Sequence, residues 1–155
     1  MKIYKNAAEL NKQLSRRAGT IVFTNGVFDI LHPGHIDLLE FARQKGDALV
    51  LGINDDDSVK RLNKGEDRPV FPLSERMEVL AAVEFVDFII PFSQDTPLEL
   101  IRSLSRVDIM VKGGDYRPEE IAGREEVEKG GGKLFLFEFK SDYSTSSLIK
   151  KVKTL

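Results

Sequence analysis

Residues 20–35 read Thr-Ile-Val-Phe-Thr-Asn-Gly-Val-Phe-Asp-Ile-Leu-His-Pro-Gly-His, and they contain the only two histidines of the chain, His32 and His35. Thr20–Thr24 is a short β-branched and aromatic run, the composition of a buried strand. From Gly34 the pattern turns helical, with Ile36, Leu38, Leu39 and Ala42 on or near one face. A strand feeding straight into a helix brings the helix N-terminus to the sheet edge. Unpaired N–H groups and a partial positive charge there favour an anion. Pro33 suits a first helical turn, and Gly34 lets backbone approach a ligand closely. His32 and His35 add side-chain donors at the same spot. A histidine pair capping a surface helix would leave the same pattern, so the surrounding residues must separate the two readings.

The whole chain narrows the field. Its 155 residues suit a single domain over 1–155, with residues 1–18 as an outer N-terminal helix. The absence of cysteine excludes disulfides, thiolate catalysis and cysteine-ligated metal, and fits a reducing compartment. A formal net charge of −2 argues against general nucleic-acid binding. No apolar run approaches the ~20 residues that span a bilayer. Lys2, Lys5, Lys12, Arg16 and Arg17 lie in a segment without the apolar core of a signal peptide. A cytoplasmic protein with no membrane or nucleic-acid partner is the expectation.

Apolar runs alternate with helical patterns from end to end. The strand candidates are 20–24, 48–53, 88–92, 108–112 and 133–139, and the helix candidates 34–45, 74–83, 97–105, 123–129 and 146–153. Continuous Val/Ile/Leu/Phe strands separated by helices predict a Rossmann-like α/β fold: an open parallel five-stranded sheet with helices on both faces. Residues 54–72, polar and broken by Gly65, Pro69 and Pro72, read mostly as a long loop, and such loops are usually functional.

In an open parallel sheet, ligands sit beyond the carboxyl ends of the strands where strand order reverses. Asn25 to His35 follows the first predicted strand, Asn54 and Asp55 the second, Lys112 to Tyr116 the fourth, and Ser144 to Ser147 the fifth. All therefore fall on one edge. They supply hydroxyls, histidines and cations, but no Gly-x-Ser-x-Gly elbow, no P-loop and no Gly-x-Gly-x-x-Gly fingerprint. Donors without a nucleophile suit a reaction in which one substrate attacks another while the protein positions both and stabilises charge on phosphorus.

Thr24–Asp29 continuing into His32-Pro33-Gly34-His35 resembles the signature of the cytidylyltransferase-like, or HxGH, nucleotidyltransferases. The order of later motifs agrees: Arg76 in Ser-Glu-Arg-Met, then Lys112-Gly-Gly-Asp-Tyr116, then Ser144-Thr-Ser-Ser147. Within that group the likeness is to the adenylyltransferase domain of the bifunctional ADP-heptose synthases. It is carried by residues 24–35, 60–76, 95–123 and 144–150, notably Asp67-Arg-Pro-Val70 and Pro118-Glu-Glu-Ile-Ala-Gly123. Two departures stand out. Pro33 replaces a small residue, and Lys140-Ser-Asp-Tyr143 stands where relatives acting on glycerol phosphate carry Arg-Thr-Glu-Gly.

The resemblance implies adenylyl transfer from ATP to D-glycero-β-D-manno-heptose 1-phosphate, giving ADP-heptose and pyrophosphate, as in lipopolysaccharide core synthesis. It implies His32 and His35 as donors to the triphosphate, with Thr24, Asn25 and Gly26 along the phosphate path; Phe28 is a nucleotide-binding candidate that, like Asp29, is read as partly structural. Asp29 either holds the turn or touches ligand. Arg76 is assigned a phosphate contact, against the alternative of a solvated helix arginine. Of the loop cations Lys60, Arg61, Lys64 and Arg68, which could close over the triphosphate, Lys64 is singled out. Asp55 is placed near the acceptor, with a helix N-cap as the competing role. Lys112, Gly113 and Asp115 would wall the base and ribose, while Ser144, Thr145 and Ser146 would meet the outer phosphates. Mg²⁺ would travel with ATP, since no carboxylate cage is visible. A homodimer, and a kinase on a separate chain, complete the expectation. The competing readings are a cytidylyltransferase for glycerol 3-phosphate or a similar phosphorylated alcohol, a nucleotide sensor without catalysis, and a fragment of a class I aminoacyl-tRNA synthetase.

Overall fold

A computed structural model describes residues 2–62, 67–114, 116–139 and 144–155. Lys64, Asp115 and residues 140–143 lie outside the described residues, so the roles expected of them stay untested. Five parallel strands form one sheet in the order β3-β2-β1-β4-β5: β1 is Ile21–Gly26, β2 Ala48–Asn54, β3 Phe88–Phe92, β4 Ile109–Gly113 and β5 Lys133–Phe137. The predicted open α/β sheet is therefore present, with each strand within two residues of its expected bounds.

Strand residues alternate between two cores, as a period of two requires. On one face Ile21, Phe23, Ala48 and Val50 meet Leu10 and Leu14 of α1 (Ala7–Leu14), Leu100 and Ile101 of α5 (Leu98–Ser103), and Val127 of α6 (Arg124–Lys129). On the other face Val22, Leu49, Leu51 and Ile53 meet Leu38, Leu39 and Ala42 of α2 (Pro33–Arg43) and Leu80 of α4 (Leu73–Ala81). Burial of each such side chain contributes about 1.5–3 kcal/mol. The helix expected over 1–18 is shorter, because residues before it pair with the sheet. Ile3 bridges Ile89, and the Tyr4 N–H donates to the Ile89 carbonyl at 2.9 Å, which covers that edge strand. The expected loop at 54–72 begins as a helix, α3 (Asp56–Arg61), capped by Asp55.

The amino ends of the strands are stitched by aspartates. Asp47 Oδ2 accepts from the Thr20 N–H at 2.6 Å, Asp87 Oδ2 from Leu49 at 2.8 Å, and Asp108 Oδ2 from Ile21 at 2.7 Å. The carboxyl ends behave differently. β1 pairs with β2 at six positions, from Ile21↔Ala48 to Gly26↔Ile53, but with β4 only at Val22↔Ile109 and Phe23↔Met110. Strand order reverses between β1 and β4, and there the two strands part. Thr24–Gly26 and Val111–Gly113 flank the cleft that results.

Candidate active site

Two cavities meet at this cleft. The first, about 430 Å³, is lined by Asn25–Asp29, His32, His35, Leu38, Arg68, Lys112, Gly113, Tyr116, Phe139 and Ser144–Ser146. The second, about 260 Å³, shares Asn25, Gly26, Val27, Lys112 and Tyr116, and adds Asn54, Leu62, Asp95–Pro97 and Glu120–Ala122. At the junction Lys112 Nζ donates to Asn25 Oδ1 at 3.2 Å, joining β4 to β1 where their backbone ladder has ended.

The turn after β1 is shaped by Phe28, which holds a φ of 48°, a conformation costly for a non-glycine residue and frequent at functional sites. Its ring lies where a Cβ on Gly26 would approach within 2.8 Å, so a side chain at position 26 would force that ring to move. Asp29, fully buried, receives the Val70 and Phe71 N–H groups at 2.9 Å on Oδ1, and Arg68 Nε on Oδ2. It fastens the segment preceding α4 against the first cavity.

His32 occupies the N-cap of α2, with Pro33 opening the helix, and its side chain makes no capping bond. The His32 and His35 rings stack with centroids 3.8 Å apart, and Phe28 packs against His35 at 5.0 Å. Burial lowers the His32 pKa from its ordinary value, so the ring is neutral at pH 7 and offers one N–H and one acceptor. His32 Nδ1 is buried without a partner among the described residues. Opposite, Ser144 caps α7 (Thr145–Lys153) in a reciprocal capping box with Ser147. Thr145 Oγ1 reaches the Ile30 carbonyl at 3.4 Å, tying that helix start to the turn. The expected His32, His35, Asn25, Gly26, Phe28, Lys112, Gly113, Ser144, Thr145 and Ser146 are thus gathered around one cavity.

Three expected site residues are not on its wall. Thr24 is buried within β1 and lines neither cavity. Arg76 is fully buried and already engaged: Nε donates to Phe71 O at 2.9 Å, Nη1 to Val27 O at 2.7 Å and Asn54 O at 2.9 Å, and Nη2 to Asp56 Oδ1 at 2.7 Å. It is a hub tying the turn after β1 to the end of β2, and it lines neither cavity, so the structure does not bring the expected phosphate contact to the site. Asp55 takes the cap role, accepting from the Ser58 N–H at 2.8 Å. Burial pushes its carboxyl up, but hydrogen bonds from Ser93 and Ser58 and the Arg61 charge outweigh this and hold it below its ordinary value. The residues at the second cavity are instead its neighbour Asn54, together with Asp95 and Glu120. Asp95 lies just past β3, at the same strand edge as the other clusters, so its position was available as a signal.

A sequence profile described as cytidylyltransferase-like matches residues 23–151. The chain belongs to the cytidylyltransferase-like family. It is 52% identical over 143 residues to the "Bifunctional protein HldE" of Haemophilus influenzae, covering 92% of this chain and 30% of that protein. Against the protein of the same name from Actinobacillus succinogenes it is 51% identical over 151 residues, 97% of this chain and 31% of that one. The chain therefore spans about a third of the length of these relatives. Among solved structures, a lipopolysaccharide core biosynthesis protein from Thermoplasma volcanium matches with a TM-score of 0.64 at 26% identity, over 82% of this chain and 100% of that one. Pantothenate synthetase from Thermus thermophilus shares the fold, with a TM-score of 0.62 at 16% identity over 97% of this chain and 70% of its own. Family membership and cleft agree that this is a nucleotidyltransferase. Among the described residues no helix is long and apolar enough to cross a membrane.

Proposed function

We propose that the protein transfers an adenylyl group from ATP to D-glycero-β-D-manno-heptose 1-phosphate, releasing pyrophosphate and forming ADP-heptose for lipopolysaccharide core synthesis. The observation that carries this reading is the pair of cavities meeting where β1 and β4 separate, one rich in donors for phosphate and the other lined by Asn54, Asp95 and Glu120. Carboxylates and an amide suit a polyhydroxylated acceptor, whose hydroxyls donate to them. The HldE relatives support the pathway.

In this mechanism an acceptor phosphate oxygen attacks the α-phosphorus of ATP. The bond from that phosphorus to the bridging oxygen breaks, and pyrophosphate leaves with the electron pair. No side chain forms a bond to phosphorus. Asn25 and Lys112, at the junction, border the reacting phosphates, and His32 and His35 donate to oxygens that gain charge. Such a donor is worth about 10²–10³ in rate. Mg²⁺ would enter with the triphosphate and would supply charge neutralisation on the phosphates. Among the described residues the one carboxylate on the first cavity is Asp29, and it is occupied by three donors. A kinase acting on a heptose supplies the acceptor.

The test is pyrophosphate release with heptose 1-phosphate, offering ATP and CTP in parallel. Turnover with ATP is expected. Preference for CTP, or turnover only with glycerol 3-phosphate, would overturn the assigned substrates.

A further inference from the structure

We propose that Arg68 is a phosphate-binding residue of the first cavity, its guanidinium held edge-on by Asp29 so that both terminal amino groups face the polyphosphate of the nucleotide. The assignment rests on the nucleotidyl-transfer reading and adds a residue to it. The side chain is 6% exposed, yet it lines the cavity. Its Nε donates to Asp29 Oδ2, and among the described residues its terminal amino groups meet no acceptor. Those amino groups open onto the cavity with no protein acceptor spent on them, so a ligand entering it meets a guanidinium already fixed along its other edge.

Three features identify that ligand as phosphate. Asp29 cannot absorb more of the fork, because its oxygens also receive the Val70 and Phe71 N–H groups. The planar spacing of two terminal amino groups matches two oxygens of one phosphate, which a lysine ammonium cannot reproduce. The same wall carries the His32 ring and the start of α7 at Ser144–Ser146, further donors on the side that Arg68 faces. Arg68 lines the first cavity and not the second, so it serves the nucleotide and not the acceptor's phosphate. Asp29 is then a positioning residue, acting through the guanidinium.

Calorimetric titration of the full chain with MgATP, inorganic tripolyphosphate and AMP tests this. Arg68→Lys should weaken ATP and tripolyphosphate by about tenfold, and Arg68→Gln by about 30- to 100-fold, with AMP affected much less. The double variant Asp29→Asn/Arg68→Gln removes both charges and leaves Asn Oδ1 for the backbone donors, so it should keep the wild-type Tm while remaining as weak as Arg68→Gln. Either folded variant binding tripolyphosphate and ATP like the wild type would overturn the role. A wild-type chain that binds no ATP would instead overturn the nucleotidyl-transfer reading beneath it.

Discussion

The two ends of this sheet are built to opposite rules. At the amino ends every strand-edge aspartate named above is consumed: Asp47, Asp87 and Asp108 each accept a backbone N–H where a strand begins. At the carboxyl ends donors are left over, with His32 Nδ1 buried without a partner among the described residues and the β1–β4 ladder abandoned after Phe23↔Met110. Polar groups spent on backbone partners mark where the fold is held, and the donors that line the cleft mark where substrate can be met. The comparison shows that burial alone does not reveal a role. What counts is whether the buried donors and acceptors are already spent.

Arg76 tests that rule most severely, since it sits at the carboxyl end but is spent. Arg76→Met should cost about 3–5 kcal/mol of stability, because the Asp56 carboxylate and three carbonyls lose their shared donor. Chemical denaturation measures it, and a stable variant with impaired ATP affinity would return Arg76 to the phosphate site. His32→Ala should do the reverse, lowering kcat by about 10²–10³ while leaving the denaturation midpoint nearly unchanged. At the amino ends, Asp108→Ala should cost about 1–2 kcal/mol by orphaning the Ile21 N–H, with kcat retained. Loss of kcat in a folded Asp108→Ala would blur the distinction between the two ends.

The smallest effect is a pH slope. The folded His32 has a pKa below that of an unfolded histidine, about 6.5, because burial disfavours its charged form. Below that pH the unfolded chain takes up a proton that the folded ring resists, so stability falls as pH falls. His32→Gln should lose this component, seen as a shallower stability decline below about pH 6.5 than in the wild type. Equal slopes would mean that the ring is solvated when folded.

Much of this architecture is legible in the sequence, for physical reasons. The stretches 48–53 and 88–92 carry no charged or hydrogen-bonding side chain because strands buried on both faces admit few, and 34–45 shows the helical period because one side of α2 meets solvent. The gathering of His32, Lys112 and Ser144 follows from the rule that ligands sit at the carboxyl edge of such a sheet. Which arginine of the 54–76 segment faces the cavity was not legible. Arg68 precedes a proline in the polar segment and Arg76 lies in a helix, but neither setting tells which one faces the cavity; their roles separate through Asp29, Val27 and Asn54, contributed by other parts of the chain. The same holds for Asp55 and Asn54. Adjacent residues leave a strand in different directions, and the N-cap of α3 claims the carboxylate that the family resemblance places near the acceptor.

The central claim is that one substrate attacks the other directly in the cleft between β1 and β4. It is tested most directly by exchange of labelled pyrophosphate into ATP. Direct transfer predicts no exchange with enzyme and MgATP alone, and rapid exchange once the sugar 1-phosphate and its nucleotide sugar are present. Exchange without any acceptor would mean a covalent adenylyl-enzyme and contradict direct transfer, and no exchange under either condition would contradict nucleotidyl transfer at this site.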